Sequence, residues 1–213
     1  MTPTQVLDLG VLDYGTCYER MKTLVAARTE GTVQDSLIVV EHPPVFTRGR
    51  KSRDESNLLD IGDVPIVQVE RGGDVTFHGP GQLVLYPIFK LAPDERDAPR
   101  FIRRLEQWMI EALSTVGLPG GYHRRGFSGV WVGEQKLASV GVAVTVDWVT
   151  WHGIAVNLST DLDYFDRINP CGLNARIMGS LEKLTGTQVT RQTMTDALLK
   201  SLPHHLGRVP NLV

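Results

Sequence analysis

SGVWVGEQKLASVGVAVTVDWVTWHGIAVNLS, Ser128 to Ser159, is the stretch whose reading decides the fold. Rich in valine, tryptophan and small apolar residues, it reads as three strands, the first two joined by a tight turn at Gly133-Glu134-Gln135. Upstream, SLIVVEHPPVFT (36–47) reads as a buried strand ended by Pro43 and Pro44, VPIVQVERGG (64–73) as a short strand and QLVLYPIFKL (82–91) as another. Helical spacing appears in Tyr14, Tyr18, Met21, Leu24 and Val25, stopping at Gly31. It returns more clearly in Phe101, Leu105, Trp108, Ala112 and Val116, with Asp97 before Pro99 as the start and Gly117 as the end. Ile177, Leu181 and Leu184 predict a helix over 174–186, and a last helix runs from Thr193 to Leu206. No repeat or linker divides the chain, so the expectation is an α+β fold, a mixed β-sheet flanked by helices, in one domain spanning residues 1–213.

Composition narrows the function classes. Of 213 residues 42% are hydrophobic, ample for a core, and 22 Lys+Arg stand against 24 Asp+Glu. Near-balance argues against a general electrostatic hold on nucleic acid or an anionic membrane, so neither is expected as a partner. MTPTQVLDLG (1–10) lacks a basic segment followed by an apolar one, and no apolar run approaches the roughly 18 residues of a membrane span. A cytoplasmic protein is expected. The two cysteines, Cys17 and Cys171, show no paired spacing, so neither a disulfide framework nor a metal site is expected.

Four places carry chemistry. Cys171 lies in Asn169-Pro170-Cys171-Gly172, just before the expected 174–186 helix, whose N-terminal amides would favour its thiolate; the alternative is an inert thiol in a turn. Cys17 sits inside a helix and reads as a small hydrophobe. Counting by twos, Lys136 heads the more apolar strand face with Ala138, Val140 and Val142, either snorkelling to water or held near the core as a base or ion-pair partner. His78 and His152 are each followed by glycine, which permits close approach by a ligand or by another strand. Arg48, Arg50, Lys51 and Arg53 form a basic loop, either solvated or a docking patch for an acidic partner. A serine-hydrolase elbow, a Walker A loop and a zinc-protease helix are all absent.

Read together, EHPPVFTRG (41–49), RGGDVTFHGPGQLVLYP (71–87), GVWVGEQKLASVGVAV (129–144) and WHGIAVNLSTDLDYFDRINPCGL (151–173) resemble the successive signature blocks of the lipoyl(octanoyl) transferase family of lipoate biosynthesis. The resemblance implies the biotin/lipoate protein ligase-like fold. It implies an acyltransferase that moves an octanoyl group from octanoyl-acyl carrier protein to a lysine of lipoyl domains in 2-oxoacid dehydrogenase complexes and glycine cleavage H protein, with no cofactor. It further implies Cys171 as the acyl-accepting nucleophile and Lys136 as its activating partner. Arg71, Gly72, Gly73, Asp74, Val75, Thr76, Phe77 and His78 would line the acyl site with Ser139, Val140, Gly141, Gly153, Ile154 and Ala155, His152 lending support. Glycines there would let backbone amides approach the acyl carbonyl. The basic loop would dock the carrier. The chain departs from the family pattern at Phe46 and Phe77, where tyrosine is common, at Leu85, where glycine is common, and at Lys90, where an acidic residue is common. Two rival readings stay open: an ATP-dependent lipoate or biotin ligase on the same fold, toward which TRGRKSR (47–53) has a faint likeness, and a noncatalytic binder of acyl carrier or lipoyl domains.

Overall fold

The computed structural model describes residues 1–52, 57–169 and 175–212. In chain order the elements are β1 (Thr2–Val11), α1 (Tyr14–Glu30), β2 (Asp35–Glu41), β3 (Val45–Arg48), β4 (Ile66–Gln68), β5 (Val75–His78), β6 (Gln82–Ile88) and α2 (Ala98–Thr115). They continue with β7 (Tyr122–Arg124), β8 (Phe127–Val132), β9 (Gln135–Val144), β10 (Thr150–Asn157), α3 (Leu181–Thr185), α4 (Arg191–Leu206) and β11 (Arg208–Leu212). Eight strands form one sheet in the order β11-β1-β2-β6-β10-β9-β8-β7, and three form a second in the order β4-β3-β5. Both are mixed: β1 runs parallel to β11 and β2, and β3 parallel to β4, while the other pairs are antiparallel. The α+β class is as expected; the second sheet arises because Pro43 and Pro44 turn the chain, so that 36–47 makes two strands in different sheets.

The continuous apolar runs of β2 and β6 follow from burial on both faces. Leu37, Val39, Leu83 and Leu85 pack under α2 and α4 with Trp108, Met109 and Leu198. Their alternates Ile38, Val40, Val84 and Tyr86 pack under α1 with Tyr14, Cys17 and Met21. Burial pushes the Cys17 thiol up to about 12, as befits a structural side chain. Asp13 caps α1, its carboxylate accepting from the Gly15 and Thr16 amides, and Gly31 closes it at φ +80°. The small sheet rests on a third cluster, in which Phe46, Val75 and Phe77 meet Phe165, Ile168 and Met178.

The predicted 174–186 helix is not one helix. A short 3-10 turn ends at Ile177, Met178 bridges to Lys136 as a strand would, and α3 starts after its cap Ser180. Closeness of Gly179 to β9 explains the break: a Cβ there would lie 2.9 Å from the Gln135 Cβ. Among the described residues the first α-helix after position 171 therefore begins at Leu181, while Cys171, which the sequence set beside a helix start, lies outside the described residues.

A buried ion network fastens the chain's last strand. Asp35, fully buried, accepts from Arg28 Nε at 2.7 Å, Arg208 Nε at 2.8 Å and the Lys90 amide at 3.0 Å. Arg208 also meets Glu95, as does Arg104. Burial opposes ionisation of Glu95, but hydrogen bonds from Arg208, the Ala92 amide and Arg104 prevail and hold it down to about 2. Its contribution to stability is thus complete above about pH 4.5 and lost as pH falls toward 2. Arg208→Met leaves Asp35 with Arg28 and the Lys90 amide and should cost about 3 kcal/mol in chemical denaturation at pH 7. The variant's stability should also fall less steeply than wild type between pH 4.5 and 3.

Candidate active site

Where the small sheet meets β9 and β10, a cavity of about 420 Å³ opens. Its walls take residues from the 71–76 loop and β5, from β6, β9 and β10, and from Tyr14 at the start of α1. Arg71 anchors the loop: Nη2 donates to the Thr47 carbonyl at 2.7 Å and Nε to the Thr47 hydroxyl at 3.2 Å, while Nη1 reaches the Gly72 carbonyl at 3.0 Å. The Gly72 amide donates to the Val142 carbonyl at 3.0 Å, laying the loop along β9.

Glycines make that contact sterically open. A Cβ on Gly141 would sit 3.0 Å from the Gly72 oxygen and 3.2 Å from Arg71 Cδ, and one on Gly49 only 2.4 Å from the Gly73 oxygen. Gly153 faces Gly141 across the β9–β10 ladder, and a Cβ there would strike the Leu85 carbonyl oxygen at 2.1 Å. These glycines let one segment of chain approach another, which for Gly153 is the strand approach that the sequence left open beside a ligand. The Gly72 amide, moreover, is already spent on Val142.

Of the expected lining residues, Arg71–Thr76, His78, Ser139–Gly141 and Gly153–Ala155 border the cavity, and His152 joins them. Phe77 does not. Along β5 its side chain alternates away from His78 into the third core cluster, where it stacks on Tyr164 with ring centroids 4.4 Å apart. Lys136 borders the cavity and is only 6% exposed, but not on the face the alternation gave. The β8–β9 register shifts between Val130 and Trp131, so Leu137 and Ala138 both enter the helix-side core and Lys136 falls on the other face. Gly129 leaves room for it: a Cβ there would lie 2.7 Å from Lys136 Cε, and buried Glu106 accepts the Gly129 amide at 2.8 Å. Cys171 and Arg53 lie outside the described residues.

The basic loop is part of the site's frame. Amides of Gly49, Arg50 and Lys51 donate to the carbonyls of Asp74, Arg71 and Gly73, and Lys51 borders the cavity. Arg50 is exposed, while Arg48 turns toward a separate groove with Leu58 and Ile61. Sequence reasoning missed Tyr14, Tyr86, Phe127 and Ser128 on the cavity wall. It also missed Gln82 and Asn157 behind it, although two amides in otherwise apolar strands are a visible signal.

Burial, reinforced by the positive charges nearby, pushes both cavity histidines down to about 3, so they are neutral at pH 7. His78 Nδ1 lies 2.7 Å from Gln82 Oε1. His152, at φ +54°, has both ring nitrogens buried without a hydrogen-bond partner among the described residues. Tyr14 and His42 pack around His78, and the His42 ring bridges the Leu12 carbonyl and the Tyr86 hydroxyl. Among the described residues, no His, Cys, Asp or Glu group that could hold a metal lies at this cavity, and no helix is long and apolar enough to cross a membrane.

The cavity is thus walled by backbone-packed glycines, neutral histidines and a buried lysine. Residues 13–203 match the model of the lipoyl protein ligase A/B catalytic domain, and the chain belongs to that family. It is 43% identical to an octanoyltransferase of Rubrobacter xylanophilus over 186 residues, 84% of this chain and 83% of that protein. The fold is similar to that of a lipoate-protein ligase A bound with ATP, at a TM-score of 0.77 and 15% identity over 100% of this chain and 90% of that one. It is also similar to a bipartite lipoate protein ligase of Thermoplasma acidophilum, studied with its E2 lipoyl domain, at a TM-score of 0.75 and 15% identity, covering 100% and 88% of the two chains. At such identity these two likenesses are of fold.

Two outcomes follow from this geometry. Gly153→Ala should destabilise by about 3 kcal/mol or more in denaturant, because the new methyl meets the backbone of a central strand. Each depressed histidine binds no proton when folded and one when unfolded between its unfolded value near 6.5 and about 3. Stability should therefore fall as pH drops from 7 to 5, by up to about 1.4 kcal/mol per pH unit per histidine, and His152→Asn should flatten that slope in titrated denaturation curves.

Proposed function

We propose that this chain is an octanoyltransferase, moving an octanoyl group from octanoyl-acyl carrier protein to a lysine of a lipoyl domain through a thioester on Cys171. The observation that carries the reading is an apolar-walled cavity with Lys136 buried in its wall, in a chain 43% identical to an octanoyltransferase. Lipoyl domains of 2-oxoacid dehydrogenase complexes and glycine cleavage H protein are the acceptors in this reading, and a lipoate ligase of the same fold has been studied with its E2 lipoyl domain. Residues 1–213 then act as one catalytic domain in the cytoplasm.

In the first half-reaction the Cys171 sulfur attacks the thioester carbon, a new C–S bond forms, and the carrier's sulfur departs and takes the proton. In the second the acceptor lysine, as neutral amine, attacks the enzyme thioester. The C–N bond forms, the C–S bond breaks, and the proton released by nitrogen returns to sulfur. Lys136 exchanges protons among thiol, leaving group and amine, or pairs as a cation with the thiolate. Thioester exchange is nearly even in energy and amide formation runs downhill, so neither step draws on ATP. The acyl tail fills the cavity against Val84 and Ala155, gaining about 0.8 kcal/mol per methylene buried. Lys51 at the rim and the exposed Arg50, in the basic loop that also holds Arg48 and Arg53, give the acidic carrier a charged approach.

Incubation with octanoyl-acyl carrier protein without ATP should add one octanoyl group to the intact chain by mass. The adduct should vanish in Cys171→Ser, persist in Cys17→Ser, and discharge on adding a lipoyl domain. Transfer that requires ATP and free octanoate, with no adduct, would instead assign the protein to the ligases.

A further inference from the structure

Behind the cavity wall runs an unbroken line of hydrogen bonds. Gln82 Nε2 donates to the Phe77 carbonyl at 3.1 Å and to Asn157 Oδ1 at 2.9 Å, and Asn157 Nδ2 donates to the Gly179 carbonyl at 2.9 Å. The Gly179 amide donates to the Lys136 carbonyl at 3.1 Å. Backbone carbonyls only accept, so the two carbonyls at Phe77 and Gly179 fix which end of each amide is nitrogen. Gln82 must therefore turn Oε1 toward His78, whose Nδ1 lies 2.7 Å away. An oxygen that only accepts requires a hydrogen on Nδ1, and in a neutral ring Nε2 then carries the lone pair. Among the described residues that nitrogen makes no hydrogen bond, and His78 borders the cavity.

We propose that Gln82 and Asn157 are positioning residues that hold His78 as its Nδ1–H tautomer, so that Nε2 accepts a hydrogen bond from the N–H of the incoming lysine amine. The proposal rests on the transferase reading above. No proton passes to the ring; the amine is anchored by one N–H while its lone pair remains free for the acyl carbon. The other tautomer would present an N–H that donates to the amine's lone pair and so ties up the nucleophile. Asn157 serves a second end of the same line, tying the His78 support to the strand segment that carries Lys136.

Long-range hydrogen–nitrogen correlation spectra of protein labelled with nitrogen-15 histidine test the first part, with His78→Gln used to assign the signals. A pyrrole-like Nδ1 and a pyridine-like Nε2 are expected for His78 at pH 7; a pyrrole-like Nε2 would overturn the proposal. In Gln82→Met, which has no acceptor for Nδ1–H, the Nδ1–H signature should be lost. Single-turnover transfer from the octanoylated enzyme to a lipoyl domain should slow about tenfold, with KM for the lipoyl domain unchanged. Asn157→Ser, which frees Gln82 to rotate, is measured the same way and decides the matter should Gln82→Met not fold. Unchanged tautomer and rate in a folded variant would reduce the line to structural support and sink the idea. Unaltered protein that shows the Nδ1–H signature but transfers no octanoyl group would overturn the transferase reading, and with it the role of Nε2, while the tautomer assignment stands.

Discussion

One backbone hydrogen bond, from the Gly72 amide to the Val142 carbonyl, governs the architecture of this site. It lays the 71–73 loop along β9 and so holds the three-stranded sheet against the eight-stranded one, with the cavity enclosed between them. Its formation depends on Gly141 beneath the loop and on the Arg71 fork gripping Thr47, because a side chain at 141 would lift the loop and a loose Arg71 would let it swing. A buried guanidinium that donates to Thr47 and Gly72 is well satisfied, which makes the clamp stable. The basic loop adds three further amide bonds on the outer side, from Gly49, Arg50 and Lys51. The two segments that sequence reading treated as separate motifs are thus one structural unit.

That unit sets the electrostatics of the cavity. Arg71 stands near both His78 and His152, and burial has already removed the water that would stabilise their cationic forms. Two neutral rings in a partly apolar pocket suit chemistry in which charge develops briefly on sulfur, oxygen or nitrogen and is then cancelled. Arg71 and Lys136 also stand on the pocket wall, placed there by a loop clamp and by a strand irregularity.

The legible and illegible parts divide along physical lines. The strands of 128–159, the helix from Ala98 with its start at Asp97, and the stop at Gly31 were readable, or nearly so, because side-chain periodicity and termini are local. The facing of Lys136 was not, since one inserted residue opposite Val130 and Trp131 reverses every alternation beyond it and leaves no compositional trace. Phe77 was carried into the acyl site by its neighbours in the motif, although the period of two in VTFH sets it opposite His78. Ile177, Leu181 and Leu184 carry a true helical period, overridden by Gly179 closing on Gln135 and Leu137. β1 and β11 escaped because a parallel pair at the two ends of a chain is specified by partners more than two hundred residues apart.

The two cavity histidines embody opposite solutions to the same burial. His78 has its Nδ1 satisfied through Gln82 and Asn157, a network whose every amide group finds a partner, so its orientation is fixed before any substrate enters. His152 sits at φ +54° with neither ring nitrogen bonded among the described residues, and Glu70 comes no nearer than 3.9 Å. An unmade hydrogen bond to a buried nitrogen costs about 1–3 kcal/mol, and the left-handed backbone adds about 1 kcal/mol or more. Stacking on Trp151 at 4.4 Å recovers part of this through dispersion but supplies no hydrogen bond. The deficit falls on the cavity wall, so the site keeps one histidine rigidly committed and one uncommitted. A pocket divided in this way fixes one contact in advance and leaves the other to be completed by what enters.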